Sequence, residues 1–440
     1  MNLVTGNIKE IYKKYLLASF GGAILPSVYG LVDMMAVGQY HGPIGSATMA
    51  IIAPIWNVVY SCGMLTGIGG SILFNIAKNS HPKDTTKSNG YFTVGLLITA
   101  LLSVLLWGSL ICFEEDILRI LGADDTLVPL ALQYLIPVKF TLPVYLFMMY
   151  MASFLRNDDH PDLATKAVMT GGVFNIVGDV FFVFVLDLGI LGAGMATCLG
   201  ATLSLTIMLT HFKSPKNTLK LVPPKKVLTK TKRILSLGFS TFFVDIAMGI
   251  LTMLFNIQIM RYLGSDALAI YGIIVNVATF VQCCAYGVGQ ASQPILSANY
   301  GAEQHDRIRL LFRYNVVTII VLSLLWFGAT LLFPTAFVHI FMTPTPEVLA
   351  MAPTILRLYG TSFLLLPFNV YATYYFQSVM KQQIAFFLSV GRGLVISSGF
   401  ILILPVLFDP SSIWFAMTCA ELVTFFLVLL VLKRENKNPR

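Results

Sequence analysis

The chain has 440 residues, 56% hydrophobic and only 11% charged, against about 25% charged in an average soluble domain. That balance excludes a soluble enzyme, a disordered chain and a nucleic-acid module. The mean hydropathy is +0.78, and at about 20 apolar residues per span the length accommodates roughly a dozen membrane helices with short loops. The net charge of +8 is read as topology, because membrane proteins collect Lys and Arg in cytoplasmic loops.

From the N-terminus, MNLVTGNIKEIYKKY runs into a long apolar stretch without a small-residue cleavage site, so the first helix is expected to stay in the mature protein. Apolar segments bounded by charged or turn residues fall at 12 to 37, 48 to 77, 90 to 112, 128 to 155, 162 to 186 and 190 to 212. The second half contributes 234 to 262, 267 to 297, 312 to 335, 347 to 378, 383 to 407 and 412 to 432. Several exceed a straight span, which predicts tilt or kinks at Pro26, Pro143, Pro294 and Pro367. Between the sixth and seventh spans lies a basic, Pro-containing linker at 213 to 233. Of the 29 Lys and Arg, only Arg119, Lys139, Arg261 and Arg357 fall on the outer side if the N-terminus is cytoplasmic. This asymmetry predicts a multi-pass protein of the cell membrane with both termini and the linker in the cytoplasm.

The halves repeat at a separation near 220. Gly67-Ile-Gly69 recurs as Gly287-Val-Gly289, Asn79 as Asn299, and Ala196-Thr197-Cys198 as Met417-Thr418-Cys419. Six spans per repeat give both halves the same orientation, so the symmetry axis runs along the membrane normal. The expected architecture is all-α: twelve transmembrane helices in two six-helix lobes, 1 to 212 and 234 to 440, related by a pseudo-twofold. A monomer suffices, with the lipid bilayer as its surroundings and no nucleic-acid partner.

A carboxylate at helix centre costs about 2.5 to 3.5 kcal/mol on insertion scales, so Asp33, Asp179, Asp245 and Glu421 each require a reason. Asp33 in span 1, Asp179 in span 5 and Thr197 in span 6 all lie roughly 8 to 12 Å below the outer surface at 1.5 Å per residue. Tyr29 precedes Asp33, and Asn175 precedes Asp179, by one turn and on the same face. Carboxylate, amide and hydroxyl oxygens suit a small hard cation or a proton. No Lys, Arg or His lies at that depth in these spans.

Asp245, mid-span with no acidic companion, admits a structural and a functional reading equally. Glu421 reads as structural, with Arg392 within reach to neutralise it. Asn276, Gln282, Gln290 and Gln293 form a polar ladder on span 8 that either lines a substrate cleft or bonds across helices. The six cysteines lie in apolar runs without metal spacing, and the six histidines lie in loops or at span ends. There is no membrane-embedded catalytic base, no cofactor motif and no Walker loop, so neither an enzyme nor an ATP-driven pump is expected. An ion gradient is left as the energy source.

The sequence contains Leu-Val-Asp33-Met-Met-Ala-Val-Gly38, Arg156-Asn157-Asp158-Asp159-His160-Pro161, Asn175-Ile-Val-Gly-Asp179 and Leu-Gly189-Ile-Leu-Gly192-Ala-Gly-Met-Ala-Thr197. Gly289-Gln290-Ala-Ser-Gln293-Pro294-Ile-Leu-Ser-Ala-Asn299-Tyr-Gly301 closes span 8. Together these motifs resemble those of the multidrug and toxic compound extrusion (MATE) family. The resemblance implies an antiporter that expels organic cations in exchange for Na+ or H+. It also implies a first-lobe cation site whose residues match Asp33, Asn175, Asp179 and Thr197, with Tyr29 as the span 1 tyrosine. Members with a second-lobe site carry acids in spans 7 and 10. Here Asp245 is displaced by about a turn and span 10 offers Asn369 in place of an acid, which argues against second-lobe coupling and leaves Asp245 and Asn369 as substrate-binding candidates. A lipid-linked oligosaccharide flippase of the same superfamily is the alternative, but it is expected to line its cleft with arginines.

Overall fold

The computed structural model describes residues 4–80, 85–158, 160–215, 217–379 and 381–437. Among these residues every regular element is helical. In chain order they are α1 (Ile8–Ser80), α2 (Thr85–Cys112), α3 (Glu114–Ile120), α4 (Val128–Asn157), α5 (Pro161–Asp179), α6 (Gly189–Leu209), α7 (Val227–Tyr262) and α8 (Ser265–Gly301). There follow α9 (His305–Leu332), α10 (Pro334–Phe341), α11 (Pro346–Gly360), α12 (Leu366–Ser378), α13 (Gln382–Val390), α14 (Ser397–Leu407) and α15 (Ala416–Lys437).

These helices supply the twelve spans, although not one for one. The 73 residues of α1 would run about 110 Å at 1.5 Å per residue, several times the bilayer core. Gly42, at φ 65° and ψ −144°, divides them into spans 1 and 2. A side chain there would be forced into the left-handed region that glycine alone enters freely. Span 5 is α5 continued by a π-helical turn, Val180–Val185. Span 10 is α11 and α12 joined through a 3-10 turn at Thr361–Leu364, with Pro367 opening α12. In span 11, α13 and α14 are joined by a second π turn, Gly391–Ile396. Pro143 and Pro294 lie inside α4 and α8. The side chain of Pro26 is outside the described residues. Among the described residues ten stretches are long and apolar enough to cross a membrane, and the segment Ile246–Tyr262 of α7 is a shorter apolar helix.

The helices gather into two compact units, Thr48–Met253 and Met1–Ala47 with Leu254–Arg440. Their limits are not those of the sequence repeat: span 1 groups with the second-half helices, and α7 up to Met253 with the first-half helices. In the unit Thr48–Met253, an aromatic cluster of Phe74, Phe92, Tyr150 and Phe154 forms the core, and the Tyr150 hydroxyl donates to Phe92 O at 2.6 Å. In the other unit, Ser292 Oγ donates to Asn315 Oδ1 (2.6 Å) and Asn315 Nδ2 to the Tyr371 hydroxyl (2.9 Å). That buried chain ties α8, α9 and α12 together with every member satisfied.

Candidate functional site

Close packing of α5 on α6 sets the first-half group. A Cβ on Gly171 would lie 2.4 Å from Gly200 O, and one on Gly200 would lie 2.7 Å from Gly171 O. The two backbones therefore touch, as small residues allow in membranes. Higher up, Gly178 faces Ala196, and Gly192 leaves no room for a side chain against Phe182. Between these contacts Asn175 Nδ2 donates to Thr197 Oγ1 at 3.3 Å. Asn175 is 7% exposed, and Asp179, one turn further along α5, is 0% exposed. Asp179 is also the last α-helical residue before the π turn Val180–Val185. Such turns insert one residue into a helix and recur at functional sites.

Asn175, Asp179 and Thr197 thus form one group inside a single unit. Asp33 is half-buried on α1 and belongs to the other unit. The side chains of Tyr29 and Asp245 lie outside the described residues. On α8, Asn276 Nδ2 donates to Gly272 O of its own helix (2.9 Å) and Gln282 Nε2 to the Tyr286 hydroxyl, whereas Gln290 and Gln293 are exposed.

Asn369 of α12 bonds Glu421 of α15. Its Nδ2 donates to Glu421 Oε2 at 2.6 Å and to Glu421 O at 2.8 Å. Arg392 Nη1 donates to Glu421 Oε1 at 2.8 Å, from the second residue of the π turn Gly391–Ile396. Both oxygens of this fully buried carboxylate are taken, as a buried charge requires. The expected Arg392–Glu421 neutralisation is present, and the amide of Asn369 completes it.

A second anchor escaped the sequence reading. Asp158, in the Arg-Asn-Asp-Asp-His turn after α4, is fully buried. Lys78 Nζ donates to its Oδ1 at 2.9 Å, His211 Nε2 lies 2.8 Å from Oδ2, and Thr218 donates through its amide (3.0 Å) and its hydroxyl. Burial alone would raise the Asp158 carboxyl, but Thr218, His211 and Lys78 together outweigh it and hold it below the usual range. The motif was visible in the sequence, but its partners come from three separate segments.

An apolar cavity of about 190 Å³ in the same unit is lined by Pro54, Val58, Leu110, Leu142, Gly249 and Met253 among others. Among the described residues no carboxylate lines it.

The MatE family model matches residues 18–181 and 240–401. The chain belongs to the MATE family. Its members are transporters and not enzymes, and this MATE protein is a multi-pass membrane transporter with the twelve-helix, two-lobe layout. It is similar to the multidrug export protein MepA of Staphylococcus haemolyticus, 22% identical over 414 residues, which cover 93% of this chain and 90% of that protein. Among solved structures it resembles the inward-facing conformation of a multidrug resistance MATE family transporter of the MOP superfamily. The TM-score is 0.85 at 19% identity, covering 94% and 96% of the two chains. It also resembles the MATE multidrug transporter DinF-BH in complex with R6G, with a TM-score of 0.74 at 23% identity, covering 99% and 98%.

Proposed function

We propose that this MATE protein is a cation-coupled multidrug antiporter of the cell membrane, exporting lipophilic organic cations by alternating access in exchange for Na+ or H+. The observation that carries the reading is Asp179: a wholly buried carboxylate at an α-to-π junction, one turn beyond an Asn that bonds the Thr of span 6. In this reading Asp33 and Asp179 share the coupling ion, Asn175 and Thr197 supply neutral oxygens, and Tyr29 orients Asp33. Two carboxylates sharing a low-dielectric site titrate as a unit, and a proton or Na+ neutralises the charge that a cationic drug also needs. Exchange follows, because ion and drug compete for one negative charge. The MepA relatives and the dye complex of DinF-BH support organic substrates of this class.

The flippase alternative calls for cleft arginines free to hold a pyrophosphate. Arg392, inside span 11, is committed to Glu421, which favours a cationic substrate. With Lys and Arg concentrated as the sequence shows, both termini and the linker lie in the cytoplasm. Dye counterflow in proteoliposomes, with Na+ and pH gradients imposed separately, tests the function. Dye uptake accelerated by one of the two gradients is expected, and uptake indifferent to both contradicts antiport.

A further inference from the structure

The connection between α6 and α7 is fastened along its length. Asn89, near the start of α2, brackets it: Nδ2 donates to Thr218 O (3.1 Å) and Oδ1 accepts from Lys220 N (2.9 Å). Val222 N donates to Thr93 Oγ1 at 3.1 Å, Thr218 is held by Asp158, and Leu219 is buried in the aromatic core. Thr93 stands eight residues into α2, about 12 Å along its axis, where the apolar run of that helix begins. The strap is therefore pressed against the level at which the membrane-spanning surface starts.

What the strap turns outward is distinctive. Leu221 is 69% exposed and Leu228 is 70% exposed, and Lys220, Lys225, Lys226, Lys232 and Arg233 are exposed around them. Lys230 lies over the Tyr91 ring at 5.1 Å, and Arg233 Nη1 donates to the Tyr91 hydroxyl at 3.3 Å. No acidic residue occurs in the sequence between Asp187 and Asp245. Asp158, beneath the strap, is consumed by Lys78, His211 and Thr218. Cations alternating with exposed leucines on a fixed backbone at the edge of a span have the chemistry of an interfacial lipid contact. A soluble anion would satisfy the lysines and leave the leucines in water.

We propose that the strap at 217 to 233 is a binding surface for anionic phospholipid. Lys220, Lys225, Lys226 and Lys232 meet the headgroup phosphates, and Leu221 and Leu228 enter the acyl boundary. Because the strap is the covalent link between the two sequence repeats, lipid charge acts on the connection between them. The inference is independent of which ion drives transport.

The test is lipid retention by the purified full chain, read by native mass spectrometry from an equimolar mixture of phosphatidylglycerol and phosphatidylcholine. The wild type is expected to prefer phosphatidylglycerol. Lys220→Gln, Lys225→Gln, Lys226→Gln and Lys232→Gln combined should lower that preference at least tenfold, from about fivefold per cation at low ionic strength. Leu221→Gln should weaken retention without altering charge, and rising salt should release phosphatidylglycerol but not phosphatidylcholine. Equal retention of the two lipids, an unchanged preference in the quadruple variant, or salt-insensitive retention would overturn the proposal. So would displacement of the lipid by glycerol 3-phosphate at equal concentration, which would mark a site for free phosphate.

Discussion

Replacing Arg392 by Met leaves Glu421 of α15 buried with Asn369 of α12, among the described residues, as its remaining side-chain donor. A buried charge stripped of its partner costs about 3–5 kcal/mol, so Arg392→Met should be severely destabilising. Glu421→Gln fails differently. Its amide oxygen still accepts from Arg392, but its NH₂ group is set against Asn369 Nδ2, donor against donor, and the guanidinium loses its counter-charge. A similar loss is expected. Arg392→Met with Glu421→Gln removes both charges at nearly constant volume and should be milder than either single change predicts, with an interaction energy of about 1–3 kcal/mol. Thermal unfolding of the purified variants in one detergent measures all three arms. Every variant that folds should keep ion-coupled export per folded molecule, because the proposed coupling site at Asp33 and Asp179 does not include this pair. Strictly additive losses, or single variants within measurement error of wild type, would refute the pairing argument. A fully folded double variant that no longer couples dye to ions would refute the division of labour.

Acid sensitivity follows from Asp158. Its carboxyl is held below the ordinary 3.8, so its contribution is complete above that value and is lost as the pH falls through the lower folded-state value. Asp158→Asn should flatten the acid limb of a stability-against-pH curve and cost about 3–5 kcal/mol at neutral pH; an unchanged acid limb would show that the anchor does not titrate. At the C-terminal end of span 1, a Cβ on Gly38 would lie 2.1 Å from Phe341 O, beside the bond from Thr343 N to Gly38 O at 3.1 Å. Overpacking of this kind costs about 1–3 kcal/mol, so Gly38→Ala should speed hydrogen exchange at the Thr343 amide at least about fivefold; unaltered exchange would contradict the contact. Topology is checked with single cysteines in a Cys-free background: an impermeant reagent outside intact cells should label position 41 and spare position 220, and efficient labelling at 220 would overturn the orientation.

Much of this molecule is readable before any coordinates, and the exceptions share a cause. Hydropathy marks the spans because each buries a long apolar surface in lipid, and the α5–α6 face is legible because Asn175 and Asp179 stand one helical turn apart and Thr197 lies at the same depth in the next span. The Gly42 break is less visible: helix continues through most of 38 to 47, and a single residue at positive φ suffices to part spans 1 and 2. The π turns after Asp179 and around Arg392 change hydrogen-bond register without changing composition, so no pattern announces them. The bond from Asn369 to Glu421 is not legible because it joins positions 52 residues apart. Asp158 hid for the same reason, with Lys78, His211 and Thr218 meeting it only in the folded chain. Grouping span 1 with the second-half helices likewise depends on tertiary contact, which a sequence repeat does not encode.

The most direct measurement of the central claim is ion-driven dye transport in proteoliposomes by wild type, Asp33→Asn, Asp179→Asn and the double variant, normalised to folded protein. Both single variants should lose gradient-driven transport while folding normally, since each removes a costly charge and keeps its shape, and the double variant should be little worse than either, as expected of residues acting as one unit. Asp33→Asn and Asp179→Asn pumping at the wild-type rate, with Asp245→Asn inactive, would contradict the account and place the coupling ion in the second half.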